Sequence, residues 1–176
     1  SAGAGAGYGG DKAIFGFGNN ASGTNLTNLV SNTGVVSSDV TSVVAIRSGV
    51  SAAGFGGDKA IFGFGATNSL GAVASNVTNL VSNAGVLATD TTGVGTARGT
   101  LAAAGYGGDK ALFGYGRGDD NYGYISYVYN ITNLVSNTGV VASDTTGVGS
   151  VRKYLAAAGY GGDKAIFGFG DTGSIT

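Results

Sequence analysis

The sequence predicts an all-β protein built from tandem repeats, and three observations lead to this prediction. The block YGGDKAIFGFG at 8–18 returns, almost unchanged, at 55–65, 106–116 and 160–170. Glycine supplies 36 of the 176 residues, and each glycine in a helix costs about 1 kcal/mol relative to alanine. Within the block, glycine alternates with larger apolar residues at the period of two that is typical of a strand.

The composition excludes several classes of function. The chain has no Cys and no His, so thiolate or imidazole metal sites and His-based catalytic triads cannot form. The net charge is −1, whereas nucleic-acid binding needs a basic surface. No apolar run approaches the roughly 18 residues of a membrane span. We therefore expect no enzyme activity, no metal, no cofactor, no nucleic-acid partner and no membrane span.

The spacing of two further blocks defines the repeat. The block TNLVSN starts at Thr27, Thr78 and Thr132, and an arginine follows each of these threonines by 20 residues, at Arg47, Arg98 and Arg152. The next GGD aspartate always follows the arginine by 11 residues, whereas the stretch from that aspartate to the next TNLVSN threonine is 16, 20 or 23 residues. All length variation therefore falls in one connection, after the FGFG strand, and such connections often form the binding face of a repeat protein.

These spacings divide a single domain, 1–176, into tandem units. Their approximate limits are 1–47 for unit one, 48–98 for unit two, 99–152 for unit three and 153–176 for a half unit.

Each unit is predicted to contain two hairpins. The first reads LAAAGYGG, a glycine turn, and KAIFGFG, because glycine adopts positive φ without steric cost. Strict alternation places Phe15 and Phe17 on one face and Ile14 with Gly16 on the other, and the bare glycines permit close approach of another sheet. The second hairpin reads TNLVSNTGVV, a turn at SDTT, and a last strand TGVGTAR.

The order of these elements resembles kelch-like β-propeller repeats. Arg98 is followed by the small-residue strand at 101–108, the aromatic strand at 111–116, a variable loop and a second hairpin. The family's usual tryptophan in the last strand is missing, and its glycine pair is replaced by Gly-x-Gly. The near-identical, glycine-rich units are also similar to repeats in phage and environmental-virus surface proteins.

The resemblance implies propeller blades of four antiparallel strands, with about three and a half blades in this chain. Propellers typically close with 4–8 blades, so either a longer array or a partner chain must complete the ring. A linear β stack or solenoid is the alternative architecture. Because uncapped sheet edges pair with other chains, we expect a homo-oligomer or a filament of identical chains.

Four asparagines are candidate glycosylation sites. Asn25, Asn76 and Asn130 occupy the same place in three units, each followed two residues later by threonine, and Asn20 lies in the first variable connection. Duplication copies such signals, so the three equivalent sites count as one observation.

The longest insertion is a candidate loop-binding site. Its residues are Asp119, Asp120, Asn121, Tyr122, Tyr124, Tyr127 and Tyr129. Tyrosine offers a large apolar surface with a polar tip, which suits a surface glycan or a neighbouring chain. Calcium binding by the acidic residues, or a strand whose tyrosines cover the sheet, are the alternatives.

The recurring charges have structural interpretations. The Asp11–Lys12 pair returns in every first hairpin, and we interpret it as a solvated turn rather than a site. Arg47, Arg98 and Arg152 are interpreted as donors to backbone carbonyls between blades, with an anion-binding channel as the alternative.

Two functions follow as hypotheses. The first is a non-catalytic structural or adhesive repeat protein of a virion or extracellular fibre, located on the virion surface or outside the cell. It would assemble by strand pairing and display its variable loops. The second is a carbohydrate-binding, lectin-like β-propeller.

Overall fold

A computed structural model describes residues 3–18, 23–67, 73–119 and 126–173 of the chain. These residues form antiparallel strands and no helix, which confirms the all-β prediction. No helix in the described residues is long and apolar enough to cross a membrane. The strands, in chain order, are β1 (Ala4–Tyr8), β2 (Lys12–Gly16), β3 (Leu26–Val30), β4 (Val40–Thr41), β5 (Ser51–Phe55), β6 (Lys59–Gly63), β7 (Ala66–Thr67), β8 (Val73–Ala74), β9 (Thr78–Val81), β10 (Ala102–Tyr106), β11 (Lys110–Asp119), β12 (Ser126–Val135), β13 (Thr145–Thr146), β14 (Ala156–Tyr160) and β15 (Lys164–Gly168).

The first hairpin of each unit forms as predicted. The strand pairs β1–β2, β5–β6, β10–β11 and β14–β15 share one register, in which the aromatic residue before the turn lies opposite the lysine after it. In the first turn, Gly9 and Gly10 have φ values of 61° and 82°, a conformation that favours glycine over other residues. The equivalent glycines of the other three turns have φ values of 61–63° and 77–80°.

The second hairpin turns earlier than predicted. The backbone reverses at Ser31–Gly34, where Gly34 has a φ of 79° and the Ser31 hydroxyl accepts a hydrogen bond from the Val35 amide. In unit three, the predicted turn SDTT instead contributes β13, which pairs with β12. The segment TGVGTAR is not a strand among the described residues. The predicted turn at SDTT is therefore wrong, because the SNTG sequence ahead of it satisfies the turn first.

The strands assemble into small open sheets. Units one and three each carry a four-stranded sheet, with orders β1-β2-β3-β4 and β10-β11-β12-β13. Unit two pairs β5-β6-β9, and a single bridge between Thr78 and Thr91 takes the place of the fourth strand. The half unit contributes β14-β15, and β7-β8 form a separate hairpin. The described sheets do not close into one barrel, and the propeller with its blade count stays a prediction.

Successive units pack in series. The first strands β1, β5, β10 and β14 each contact the next in that order. The turns are joined by one repeated hydrogen bond, from Gly9 N to Asp58 O at 2.6 Å, and its counterparts link the later units at the same distance.

The two hydrophobic clusters lie between units rather than within them. One joins Tyr8, Ile14 and Phe17 of unit one to Phe62 and Val81 of unit two. The other joins unit two to unit three through Phe55, Ile61, Phe64, Phe113 and Val135. Each unit therefore completes its core against a neighbour, as in other repeat proteins.

Candidate functional site: the joint between units

The second aromatic residue of each FGF segment adopts a left-handed backbone. Phe17, Phe64, Tyr115 and Phe169 all have φ between 62° and 64°, which is uncommon for a residue with a side chain. This conformation breaks the alternation of the strand and turns the ring to the opposite face. The prediction that Phe15 and Phe17 share a face is therefore wrong.

Each unit consequently presents one ring to the unit before it and one to the unit after it. We call the contact region between two consecutive units a joint. Phe62 packs on Phe17 of unit one, with ring centroids 5.1 Å apart. Phe64, two residues later, packs on Phe113 of unit three, also at 5.1 Å. The third joint repeats this contact between Tyr115 and Phe167 at 5.7 Å.

At the second and third joints, the incoming phenylalanine ring packs directly over a glycine, which we call its seat. A Cβ placed on Gly63 would lie 2.7 Å from the Phe113 ring, and one on Gly114 would lie 2.8 Å from the Phe167 ring. Both distances are shorter than a carbon–carbon contact allows. The predicted close approach over a bare glycine face is thus confirmed at these two joints.

A buried arginine links the two sides of the joint. The Arg98 guanidinium lies 4.3 Å from the Phe64 ring centroid in unit two, and its Nε donates to Tyr115 O in unit three at 2.7 Å. One unit earlier, Arg47 lies over the Phe17 ring, and its Nη1 donates to Phe64 O at 2.8 Å. The predicted bonding of these arginines to backbone carbonyls between units is confirmed. Burial lowers the pKa of Arg98 to about 10, which leaves the guanidinium charged at neutral pH.

A polar network continues from the arginine across the joint. Arg98 donates to Asn133 Oδ1 at 2.6 Å, and Asn133 Nδ2 donates to Asp144 Oδ1 at 2.9 Å. Asp144 then accepts from Thr96 of unit two, through its amide at 3.0 Å and its hydroxyl at 2.7 Å. Arg98 Nη1 also donates to Thr96 O at 3.0 Å, so the hydrogen bonds form a closed ring of four residues. This ring of bonds connects unit two to unit three in one orientation.

Sequence reasoning missed the asparagines of this network. Asn79 occupies the position of Asn133 one unit earlier; both are fully buried, and Asn79 accepts a hydrogen bond from Arg47. A signal was present, since an asparagine precedes the aspartate by 11 residues in all three complete units. A polar residue held at fixed spacing inside an apolar strand indicates a buried partner.

The joint should weaken in acid. Burial opposes ionisation of Asp144, but the hydrogen bonds from Thr96 and Asn133 outweigh it and hold the pKa below its ordinary value of 3.8. A lowered pKa means that the charged carboxylate stabilises the fold above the unfolded pKa, and that this stability is lost as pH falls through the folded pKa. We expect Asp144→Asn to be less stable than wild type at pH 7 and the gap to shrink below pH 3.8. Thermal melts across this range measure it, and a constant gap would contradict the assignment.

The recurrent sequon asparagines brace the second hairpin. Asn76 Nδ2 donates to Gly93 O at 3.1 Å and to Gly95 O at 3.0 Å, and Asn25 and Asn130 make the equivalent pairs of bonds. An N-linked glycan would replace one of the two donor hydrogens on this nitrogen. Glycosylation of these asparagines stays a prediction, and Asn20 lies outside the described residues.

Removal of one brace has a measurable cost. Asn76→Ala leaves two carbonyls without their donor, and we expect the free energy of unfolding to fall by about 2 kcal/mol. The control is Asn83→Ala, since exposed Asn83 donates to Asp58 and its loss should cost about 0.5 kcal/mol or less. Urea denaturation compares the two, and equal effects would argue against the brace.

The insertion of unit three lengthens a hairpin. β11 and β12 stay paired out to Asp119 opposite Ser126. The rings of Tyr127 and Tyr129 stack on one face with centroids 6.5 Å apart, in agreement with the tyrosine-covered strand that was the alternative to a binding loop. Asp120, Asn121, Tyr122 and Tyr124 lie outside the described residues.

The glycine turns surround a cavity of about 590 Å³ that residues of all four first hairpins line. Lys59, Lys110 and Lys164 border it, and each contacts the aspartate before it at 2.6–3.0 Å. Hydrogen bonds from Lys59 and then from Asn83 lower the pKa of Asp58. Each lysine charge is thus balanced locally, and the described residues hold no group of three potential metal-ligating side chains.

Comparison with known proteins does not indicate a function for this chain. No protein-family model matches the chain, and no curated protein sequence is significantly similar to it.

The joint is incomplete at both ends of the series. Phe15 is 42% exposed, whereas its equivalents Phe62 and Phe113 are fully buried. At the other end Phe169 is 87% exposed, whereas Phe17 and Phe64 are buried. Unit one therefore exposes Phe15, the ring that would pack against a preceding unit. The half unit exposes Phe169, the ring that would pack against a following unit.

Proposed function

We propose that this chain is a non-catalytic structural repeat protein that assembles with copies of itself and displays its variable connections, as part of a virion surface or an extracellular fibre. The single observation that carries the proposal is the joint: it recurs within the chain, and its two complementary halves stand exposed at opposite ends.

The use of polar residues supports a structural role. The buried side chains of Arg98, Asn133 and Asn79 are engaged in hydrogen bonds that join units. In a catalytic site, comparable residues face a cleft that admits substrate. Here they lie between packed sheets, where they set geometry rather than perform chemistry.

The shape of the units supports a curved array, such as a propeller, over a straight stack. At the first strands the units meet through backbone, since Gly7 O lies 3.5 Å from a Cβ placed on Gly54. At the second strands, phenyl rings separate the sheets. Each unit is therefore thinner at its first strand than at its second strand, so stacked units form a curve. The glycine turns of the four first hairpins line one shared cavity.

The position of the variable connections along the chain supports a display role. They follow the ends of β2, β6 and β11, whereas the glycine turns precede the starts of the same strands. The two features therefore lie at opposite ends of each sheet. A connection can change in length without disturbing the joint.

Sedimentation velocity over a hundredfold concentration range tests the proposal. We expect species larger than the 17.0 kDa monomer to grow with concentration, and electron microscopy to show rings or filaments. A chain that stays monomeric at the highest concentration would refute the proposal.

Carbohydrate binding is the second candidate, favoured by the stacked Tyr127 and Tyr129 on the extended hairpin. Aromatic faces bind the apolar faces of sugar rings. A glycan array with wild type and Tyr127→Ala tests this function. Binding that the variant loses would support it, and a blank array would exclude it.

A further inference from the structure

The exposed ends of the series assign a specific contact between copies. We propose a head-to-tail joint in which Phe15 of one copy packs over Gly168 and against Phe169 of another. This inference rests on the proposed assembly function and deepens it by naming the partner as a second copy and the residues that join.

The half unit presents an empty seat. No described atom lies within 4 Å of a Cβ placed on Gly168, although the equivalent Gly63 and Gly114 each lie under a phenylalanine ring. Beside this seat, Phe169 projects into solvent in the same left-handed conformation as Phe17 and Phe64. The half unit therefore has the glycine and the ring that receive a neighbour in the two preceding joints.

Unit one presents the matching ring. Phe15 occupies the position of Phe62 and Phe113, the rings that sit on the preceding unit. It borders an open cavity of about 500 Å³, which Gly5, Gly16 and Asn28 also line. The cavity marks the face that a preceding unit would cover.

A second kind of contact between units also has one partner exposed at each end of the series. Tyr8 packs on Gly85 of the next unit, at 3.0 Å from a Cβ placed there, and Phe55 packs on Gly139 in the same way. At the ends, Tyr160 is exposed, and no described atom lies within 4 Å of a Cβ placed on Gly34. Tyr160 of one copy therefore matches Gly34 of the next.

The backbone continues the same pattern. The amide of a turn glycine donates to the aspartate carbonyl of the next unit, as in Gly107 N to Asp163 O at 2.6 Å. The corresponding groups at the two ends are the Gly161 amide and the Asp11 carbonyl. Three kinds of contact thus place the copies in one register.

The two faces differ, so the joint is heterologous. Such a joint forms a closed ring if the rotation closes and a filament if it does not. In either case a face binds its complement and not its own copy, which distinguishes this joint from a two-fold symmetric dimer.

Complementation between two variants tests the joint. Phe15→Ala removes the incoming ring, and Phe169→Ala removes the receiving one. Each variant alone should be monomeric, with self-association at least tenfold weaker than wild type, as for the loss of a central interface residue. Mixed one to one, they should form a heterodimer and nothing larger, because one intact head and one intact tail remain. Sedimentation velocity with one variant labelled measures this.

Two further variants complete the design. Val43→Ser alters an exposed apolar residue that does not line the cavity beside Phe15, and it should assemble like wild type. Gly168→Val fills the seat and should abolish assembly while leaving the melting temperature of the monomer unchanged, measured at concentrations where wild type is also monomeric. Circular dichroism melts verify that every variant folds.

The outcomes separate the two proposals. A wild-type chain that never self-associates overturns the proposed function and this joint together. A wild-type chain that assembles while the phenylalanine and glycine variants assemble equally well overturns the joint alone. Self-association of Phe15→Ala at wild-type strength, with no gain on mixing, would indicate a symmetric contact and also refute the joint.

Discussion

Replacing Arg98 with alanine is expected to lower the free energy of unfolding by about 4 kcal/mol, the range found when one member of a buried charged network is removed. The side chain is fully buried and donates to Tyr115 O, Thr96 O and Asn133 Oδ1. Its loss leaves these acceptors without a donor and opens a cavity beside Phe64. Urea denaturation followed by tyrosine fluorescence measures the change.

The chain supplies its own control for this variant. Arg152 holds the same repeat position and donates to Phe169 O, but it is only partly buried. We expect Arg152→Ala to cost about 1 kcal/mol or less, in line with a single net hydrogen bond. Similar losses for the two variants would show that burial between units is not what makes Arg98 important.

Gly63→Val is expected to lower the free energy of unfolding by about 3 kcal/mol through overpacking. The added carbons would enter the space of the Phe113 ring. That ring is fully buried and cannot move aside without displacing unit three. The expected result is a lower urea midpoint with an unchanged native secondary structure.

The matched control is Gly168→Val, at the same position of an identical AIFGFG segment. No described atom lies near its Cβ, so its unfolding free energy, measured at concentrations where the chain is monomeric, should stay within about 0.5 kcal/mol of wild type. If both variants are equally destabilised, strand propensity rather than the ring contact explains the effect.

The local parts of the fold were predictable from the sequence. Paired glycines and alternating small residues identify the first hairpins, since both signals depend on residues close in the chain. The turn of the second hairpin was misplaced because SNTG and SDTT are both good turn sequences. Only the pairing of β12 with β13 decides between them.

The site was predictable in part, for a similar reason. Recurrence identified Arg98, but its acceptor Asn133 lies 35 residues away in the chain, and sequence pattern alone does not pair them. The direction of Phe17 could not be predicted, because a period of two assumes extended backbone at every residue. The same left-handed backbone recurs at Phe169, whose ring is 87% exposed, so packing of the ring is not its cause. The Phe169 carbonyl accepts a hydrogen bond from Arg152, a contact between residues 17 positions apart that a local pattern does not reveal.

The placement of both cores between units has a consequence for the evolution of the chain. Copying or deleting a whole unit changes the number of joints but creates no new type of contact, so neither event needs compensating substitutions. Two terminal faces remain uncovered in any open series, whether short or long. The uncovered fraction of apolar surface therefore falls with every added unit, and unequal recombination between near-identical gene segments should tend to yield longer arrays that remain stable.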